Sequence, residues 1–119
     1  MTITKIYRFN RVSVVKEYFY VRSEDKISDS GLKYVEFVGK ELMYQTDSWE
    51  DGLLAINENR TDLIEALDRH FMIVEERLGA FHYEVENIKF FRTLDSDTFE
   101  EVQVDEEILS LMGVWLRWK

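Results

Sequence analysis

TKIYRFNRVSVVKEYFYVR, residues 4–22, is the stretch on which the fold of this chain depends. It is dense in β-branched and aromatic residues, which suit the pleated and half-buried surface of a sheet. We therefore predict two strands, near residues 3–12 and 15–22. The polar segment SEDKISDSG, residues 23–31, predicts a break after the second strand.

The next segment, LKYVEFVGKELMYQ (residues 32–45), is compatible with two structures. Leu32, Val35, Val38 and Leu42 fit the stripe of a helix, whereas the residues on either side of Gly39 fit the two strands of a hairpin. Glycine inside a helix costs about 1 kcal/mol relative to alanine. The hairpin is therefore the favoured alternative, and the helix stays open.

Two helices are predicted next. Ser48, followed three residues later by an acid, is typical of a helix start, and Trp49, Leu53 and Ile56 then share one face. NENRT (residues 57–61) should end this short helix. A second, longer helix is predicted to begin at Thr61 and to end at Gly79. Its apolar stripe follows helical spacing: Leu63, Leu67, Phe71, Val74 and Leu78.

Strands are predicted again from residue 81. FHYEVENIKFF (81–91) alternates apolar and polar residues and then changes phase, which predicts a bulge near Asn87. TLDSDT (93–98) is typical of a turn and FEEVQV (99–104) of a returning strand. The whole order predicts an α+β fold: an antiparallel sheet of roughly four to six strands packed by two or three helices, as a single domain over residues 1–119.

Composition limits the class of function. The 119 residues include 24 Asp or Glu against 15 Lys or Arg, a net charge of −9, and no cysteine. An acidic surface repels nucleic-acid phosphates, so we expect no direct binding of DNA or RNA, and a basic partner protein would be attracted instead. Without a signal peptide or a long apolar run, the sequence predicts a cytoplasmic protein that contacts no membrane.

The sequence offers little catalytic chemistry. His70 and His82 are the only histidines, and we interpret them as a half-buried structural side chain and part of a solvated sheet face. Asp95, Asp97 and Glu100 are dense in oxygen atoms but lack the spacing of an EF-hand. No catalytic residue, cofactor site or metal site is predicted, and the expected protein is not an enzyme.

The C-terminal segment is the strongest candidate for an interaction site. A helix is predicted from Asp105, and its apolar residues cover well over half of its circumference, more than one sheet can bury. Tryptophan and methionine are enriched at interfaces, and a homodimer is the default assembly. The predicted interaction residues combine this apolar surface with the neighbouring acids: Met112, Trp115, Trp118, Glu100, Glu101, Glu106 and Glu107.

Two functional hypotheses follow from these features. The first is a small acidic interaction protein, an inhibitor or adaptor, that docks on a basic surface of a partner, including a surface that otherwise holds nucleic acid. The alternative is a module that binds a small ligand in an aromatic-lined pocket on the sheet. The aromatic side chains considered for that pocket are Tyr7, Phe9, Tyr18, Tyr20 and Phe90.

Overall fold

The first two strands of the sequence belong to two different sheets in the computed structural model, which describes residues 1–58, 70–80, 83–94 and 98–112. The described residues form seven strands and two short helices. Their bounds are β1 Thr2–Phe9, β2 Arg11–Val21, β3 Lys26–Val38, β4 Glu41–Thr46, α1 Trp49–Asn57, β5 His70–Leu78, β6 Tyr83–Thr93, β7 Phe99–Val102 and α2 Glu106–Leu111.

Five strands form the main sheet in the order β4-β1-β5-β6-β7, and every pair of neighbours is antiparallel. β2 and β3 pair only with each other, as an antiparallel two-stranded ribbon. The prediction of antiparallel strands is thus confirmed, whereas the expected packing by two or three helices fits only roughly, since the described residues are mostly strand with two short helices. The strand number was underestimated, since seven strands in two sheets replace the expected four to six in one. The single domain over residues 1–119 stays a prediction.

The central strand, β5, has both faces covered. Phe71, Met72, Ile73 and Val74 are consecutive and all buried, which is possible only where each side of the sheet packs against another layer. α1 covers one face, and the start of the ribbon together with Met112, the residue after α2, packs on the other. We call the first core the helix-side cluster: Ile6, Ala55, Ile56, Phe71, Ile73 and Phe91. The second is the ribbon-side cluster: Phe9, Met72, Val74 and Phe90.

α1 begins as predicted. Ser48 is its N-cap residue, and its Oγ accepts a hydrogen bond from the backbone N–H of Asp51 at 3.2 Å. Asp51 in turn accepts a hydrogen bond from the phenol of Tyr44 at 2.9 Å, which fixes the helix to β4. The helix ends at Asn57, the first residue of the predicted interruption.

Gly52 lets α1 lie close to the sheet, and we expect Gly52→Ala to destabilise the protein. A Cβ atom at this position would lie 2.8 Å from both Ile73 Cδ1 and Thr4 Cγ2. Alanine improves helix propensity by about 1 kcal/mol, but overpacking a buried contact costs about 1–3 kcal/mol. Urea unfolding should therefore give a lower midpoint than wild type. Leu54→Ala, on the exposed side of the same helix, is the control and should change the midpoint little; a more stable Gly52→Ala would contradict the close contact.

The predicted long helix is wrong over its second half. Residues 70–78 form β5, and the start of the prediction, including Thr61, Leu63 and Leu67, lies outside the described residues. The placement of Phe71 in the core is confirmed, since only 2% of its surface is exposed, although the element that places it is a strand.

Residues 32–45 form neither of the two predicted structures. Both segments around Gly39 are strands, and Gly39 has the positive φ of 71° that a tight turn requires. The two strands do not pair with each other, however: β3 pairs with β2, and β4 pairs with β1. The predicted break at residues 23–31 is also too long, because β3 begins at Lys26.

The later predictions are closer to the structure. The register of β6 against β5 shifts at Glu86, which is left without an opposite residue, so the bulge predicted near Asn87 is confirmed. β7 returns antiparallel to β6 and is followed by α2, whose N-cap residue is Asp105. The described helix ends at Leu111. Residues 113–119, with Trp115 and Trp118, lie outside the described residues.

Candidate interaction surface

The ribbon of β2 and β3, residues 11–38, has a packed base and an exposed outer part; we call it the arm. At the base, Val12 and Phe37 face each other across the two strands and pack on the ribbon-side cluster. The ring of Phe37 lies edge-on to Phe9, with 5.2 Å between centroids, and is stacked with Phe90 at 6.1 Å. The base is therefore part of the protein core.

The outer part of the arm exposes an unusual number of apolar side chains. Between 49% and 71% of the surface of each is accessible to solvent. They come from both strands, and Tyr20 lies directly opposite Ile27. An isolated two-stranded ribbon is only marginally stable in water, so side chains in this position gain from contact with another surface. The six exposed apolar side chains of the arm are Tyr18, Phe19, Tyr20, Ile27, Leu32 and Tyr34.

Local hydrogen bonds fix the shape of the outer arm. Its two strands change register between Lys16 and Tyr18, where three residues of β3 lie opposite one residue of β2. Gly31, with a φ of 80°, lies in this irregularity, and its N–H donates to Asp29 Oδ1 at 2.8 Å. At the tip, the phenol of Tyr20 donates to Asp25, which raises the pKa of Tyr20 above its ordinary value. The exposed side chains are thus carried on a backbone with defined local hydrogen bonds.

Each strand of the arm also has one edge that pairs with no other strand in the described part of the chain. Such an edge presents backbone N–H and C=O groups that can accept an additional strand from another molecule. The exposed side chains on the same strands supply apolar contacts for such a pairing. The arm therefore offers two of the features used by proteins that recognise partners by strand addition.

The charge of the protein is distributed unevenly between the arm and the remainder. Residues 11–38 contain five Lys or Arg and five Asp or Glu, so the net charge of the arm is zero. The net charge of −9 is therefore carried entirely by the other residues. A neutral, apolar arm on an acidic body is the electrostatic character of this surface.

Most acids predicted to bind a partner have a cation of the same chain beside them. Glu100 pairs with Arg92 across β6 and β7, and the carboxylate of Glu101 lies 3.8 Å from the ammonium of Lys89. Glu107 lies 3.1 Å from Lys33, which joins α2 to the arm. Glu106 is exposed in the first turn of α2. These local ion pairs reduce the charge that the acids offer to a partner.

The remaining predicted site residues are separated in the structure. Met112 is the C-cap residue of α2 and packs on the ribbon-side cluster. Of the five aromatic side chains proposed for a pocket, Phe9 and Phe90 line a cavity of about 380 Å³. Tyr7 packs on the same cluster without lining that cavity, and Tyr18 and Tyr20 lie on the exposed arm.

Titratable side chains do not form a recognisable reaction centre in the described residues. His70 begins β5 and stacks on Phe9 at 5.7 Å, while His82, Asp95 and Asp97 lie outside the described residues. Within the described ranges, no three His, Asp or Glu side chains are grouped as a metal site requires. Charged side chains on the surface form ion pairs, as Arg77 does. Its hydrogen bond to Glu84, together with the nearby charge of Glu86, raises the pKa of Arg77.

Comparison with known proteins assigns this chain to no family. No protein-family model, curated protein or solved structure matches the chain. Among the helices of the described residues, none has both the length and the apolar character needed to cross a bilayer. The features that bear on function are therefore the arm, the charge distribution and the cavity.

Proposed function

We propose that the protein is a non-catalytic, acidic interaction protein that binds a partner protein bearing a basic surface. The observation that carries the proposal is the set of six apolar side chains exposed on the arm. With about half of each side chain accessible, they present about 600 Å² of largely apolar surface. Successive residues of a strand point to opposite faces, so this area is divided between the two faces of the ribbon. A partner that enclosed both faces would bury an area approaching the roughly 800 Å² that each partner contributes to a standard interface.

The acidic charge of the residues outside the arm, which we call the body, favours a partner with a basic surface. Because the arm is neutral and the rest of the chain has a net charge of −9, the long-range field is that of the body. A basic protein would be attracted by this field, and its apolar surface would then contact the arm. Nucleic acid would be repelled by the same field, so the proposed partner is a protein and not DNA or RNA.

The two parts of the surface have different roles in this proposal. Electrostatic attraction raises the association rate and weakens with salt, whereas buried apolar contacts mainly set the dissociation rate. Inhibition or recruitment would follow if the arm covered a functional surface of the partner. We propose the cytoplasm as the compartment, since a chain without cysteine needs no oxidising environment.

Removing the apolar side chains of the arm should abolish partner binding. The test variant combines Tyr18→Ser, Tyr20→Ser and Ile27→Ser, and the control combines Leu42→Ser with Leu54→Ser, which are also about half exposed but lie outside the arm. Each protein is immobilised and exposed to extract of the native host at about 50 and about 150 mM salt. Proteins retained by wild type and by the control should fall at least tenfold with the arm variant.

The composition of the retained set tests the charge argument. The proposal expects basic proteins that are retained less well at the higher salt. Retention of the same proteins by the arm variant and wild type would overturn the role of the arm. Retention of acidic proteins, insensitive to salt, would overturn the role of the acidic body.

A further inference from the structure

The cavity of about 380 Å³ lies where the arm, the main sheet and α2 meet. Phe9 and Phe90 come from the sheet, Val12 from the base of the arm, and Val104 and Ile108 from the end of the chain around α2. Its volume is within the range of about 300–1,000 Å³ in which small-molecule sites are found. The lining is mainly apolar, so the apolar part of a ligand would move there from water into apolar surroundings.

Three nitrogen-bearing side chains line this apolar cavity: Arg11, His70 and Gln103. Arg11 lines it from an exposed position and has no ion-pair partner in the described part of the chain. His70 also lines it, and its Nδ1 is buried without a hydrogen-bond partner among residues 1–58, 70–80, 83–94 and 98–112. Buried polar atoms are nearly always paired in folded proteins, so an unpaired ring nitrogen beside a cavity suggests a partner supplied by a ligand.

The one acid at the cavity is already engaged. Asp105 lines the cavity, but its Oδ1 accepts a hydrogen bond from the backbone N–H of Glu107 at 2.7 Å as the cap of α2. Arg11, by contrast, presents a guanidinium whose donors match the two oxygens of a carboxylate. The polar lining thus favours a ligand with an anionic oxygen group over a cationic one.

We propose that this cavity binds a small organic acid with an aliphatic or aromatic body. Its carboxylate would accept hydrogen bonds from Arg11 and from His70 Nδ1, with the imidazole carrying its proton on that nitrogen. Its apolar body would lie against Phe9, Phe90 and Val12. Because Arg11 and Val12 belong to the arm and His70 and Phe90 to the sheet, the ligand would join the two and stabilise the protein by mass action.

Decanoate is a suitable probe, with decanol as a probe of the same chain length and no charge. Isothermal calorimetry measures binding to the full-length protein, and thermal unfolding measures stabilisation. Decanoate is expected to bind saturably and to raise the unfolding temperature, and decanol to bind at least tenfold more weakly. A charge-assisted hydrogen bond to a carboxylate is strong enough to account for such a difference.

Substitutions of the lining residues test whether decanoate binds in this cavity. Arg11→Gln and His70→Phe, which keeps a ring against Phe9, should each weaken decanoate binding about tenfold. Arg22→Gln, in the turn of the arm, is the matched control and should leave binding unchanged. Val104→Phe should block the site by filling it. The arm variant Tyr18→Ser, Tyr20→Ser and Ile27→Ser should still bind decanoate, so this proposal can stand or fail independently of the proposed partner binding.

Three results would contradict the proposal that this cavity binds an organic acid. The first is the lack of saturable decanoate binding to the folded wild type. The second is equal affinity for decanoate and decanol together with unchanged binding by Arg11→Gln, which would show that the cavity does not recognise the carboxylate. The third is loss of binding in the arm variant while Val104→Phe binds normally, which would place the probe on the exposed arm.

Discussion

Phe71→Ala should lower the free energy of unfolding by about 3–5 kcal/mol, the range observed when a buried phenylalanine is truncated. Phe71 lies in the central strand with 2% of its surface exposed. Its ring stacks on Phe91, with 5.1 Å between centroids, and lies edge-on to Phe99 at 5.6 Å. Truncation removes both contacts and leaves a void between α1 and the sheet, which the flanking strands cannot close because they are hydrogen-bonded on both sides.

Urea unfolding followed by circular dichroism measures this loss. Phe19→Ala is the matched control, because the same side chain is removed from a position where 49% of its surface is exposed. The control should change stability by less than about 1 kcal/mol. Equal midpoints for wild type and Phe71→Ala would show that the helix-side cluster does not form the core of the protein.

Position 71 also shows where periodicity misleads. The spacing of Leu63, Leu67, Phe71, Val74 and Leu78 fits a helix, yet residues 70–78 form a strand. A strand that is covered on both faces shows no alternation, and a short continuous apolar run fits a buried strand as well as a helix. The deciding partners are β6, which follows β5 directly in the chain, and β1, which lies far from β5 in sequence. A single-sequence pattern carries no record of those pairings.

Features set by neighbouring residues were predictable. The caps at Ser48 and Asp105 depend on one side chain and the N–H groups just after it, so the sequence contains the complete interaction. The bulge at Glu86 was visible as a change of phase within one strand. The turn at Gly39 was also predicted. Which strands pair on either side of it was not, because that depends on distant residues.

The candidate site was the least predictable part. Tyr18, Phe19 and Tyr20 are consecutive, so their sequence gives no polar face, and their exposure depends on whether another layer covers the ribbon. Arg11 and His70 are 59 positions apart in the chain, and both line the cavity because Phe9, two residues before Arg11, pairs with His70 across β1 and β5. The sequence did identify Phe9 and Phe90 as aromatic candidates, and both line the cavity.

Phe9→Ala is expected to combine a loss of stability with a loosening of the arm. Phe9 has 2% of its surface exposed, and its ring contacts Phe37 of the arm at 5.2 Å, Phe90 at 5.9 Å and His70 at 5.7 Å. Truncation should again cost about 3–5 kcal/mol. The lost contact with Phe37 should also loosen the base of the arm, because this contact is one of those that join the ribbon to the main sheet, beside the stacking of Phe37 on Phe90.

Hydrogen exchange separates these two effects, and Phe71→Ala provides the control. Both variants truncate a buried phenylalanine to alanine, but Phe71 belongs to the helix-side cluster and Phe9 to the ribbon-side cluster. A purely global loss of stability would speed the exchange of the slowest amides of β5 similarly in both variants. Amides near Val12 and Phe37 should exchange faster in Phe9→Ala than in Phe71→Ala when the two are compared at equal global stability. Equal exchange at the base in both variants would mean that other contacts attach the arm. Faster exchange in Phe9→Ala alone would identify Phe9 as the side chain through which the core holds the exposed arm in place.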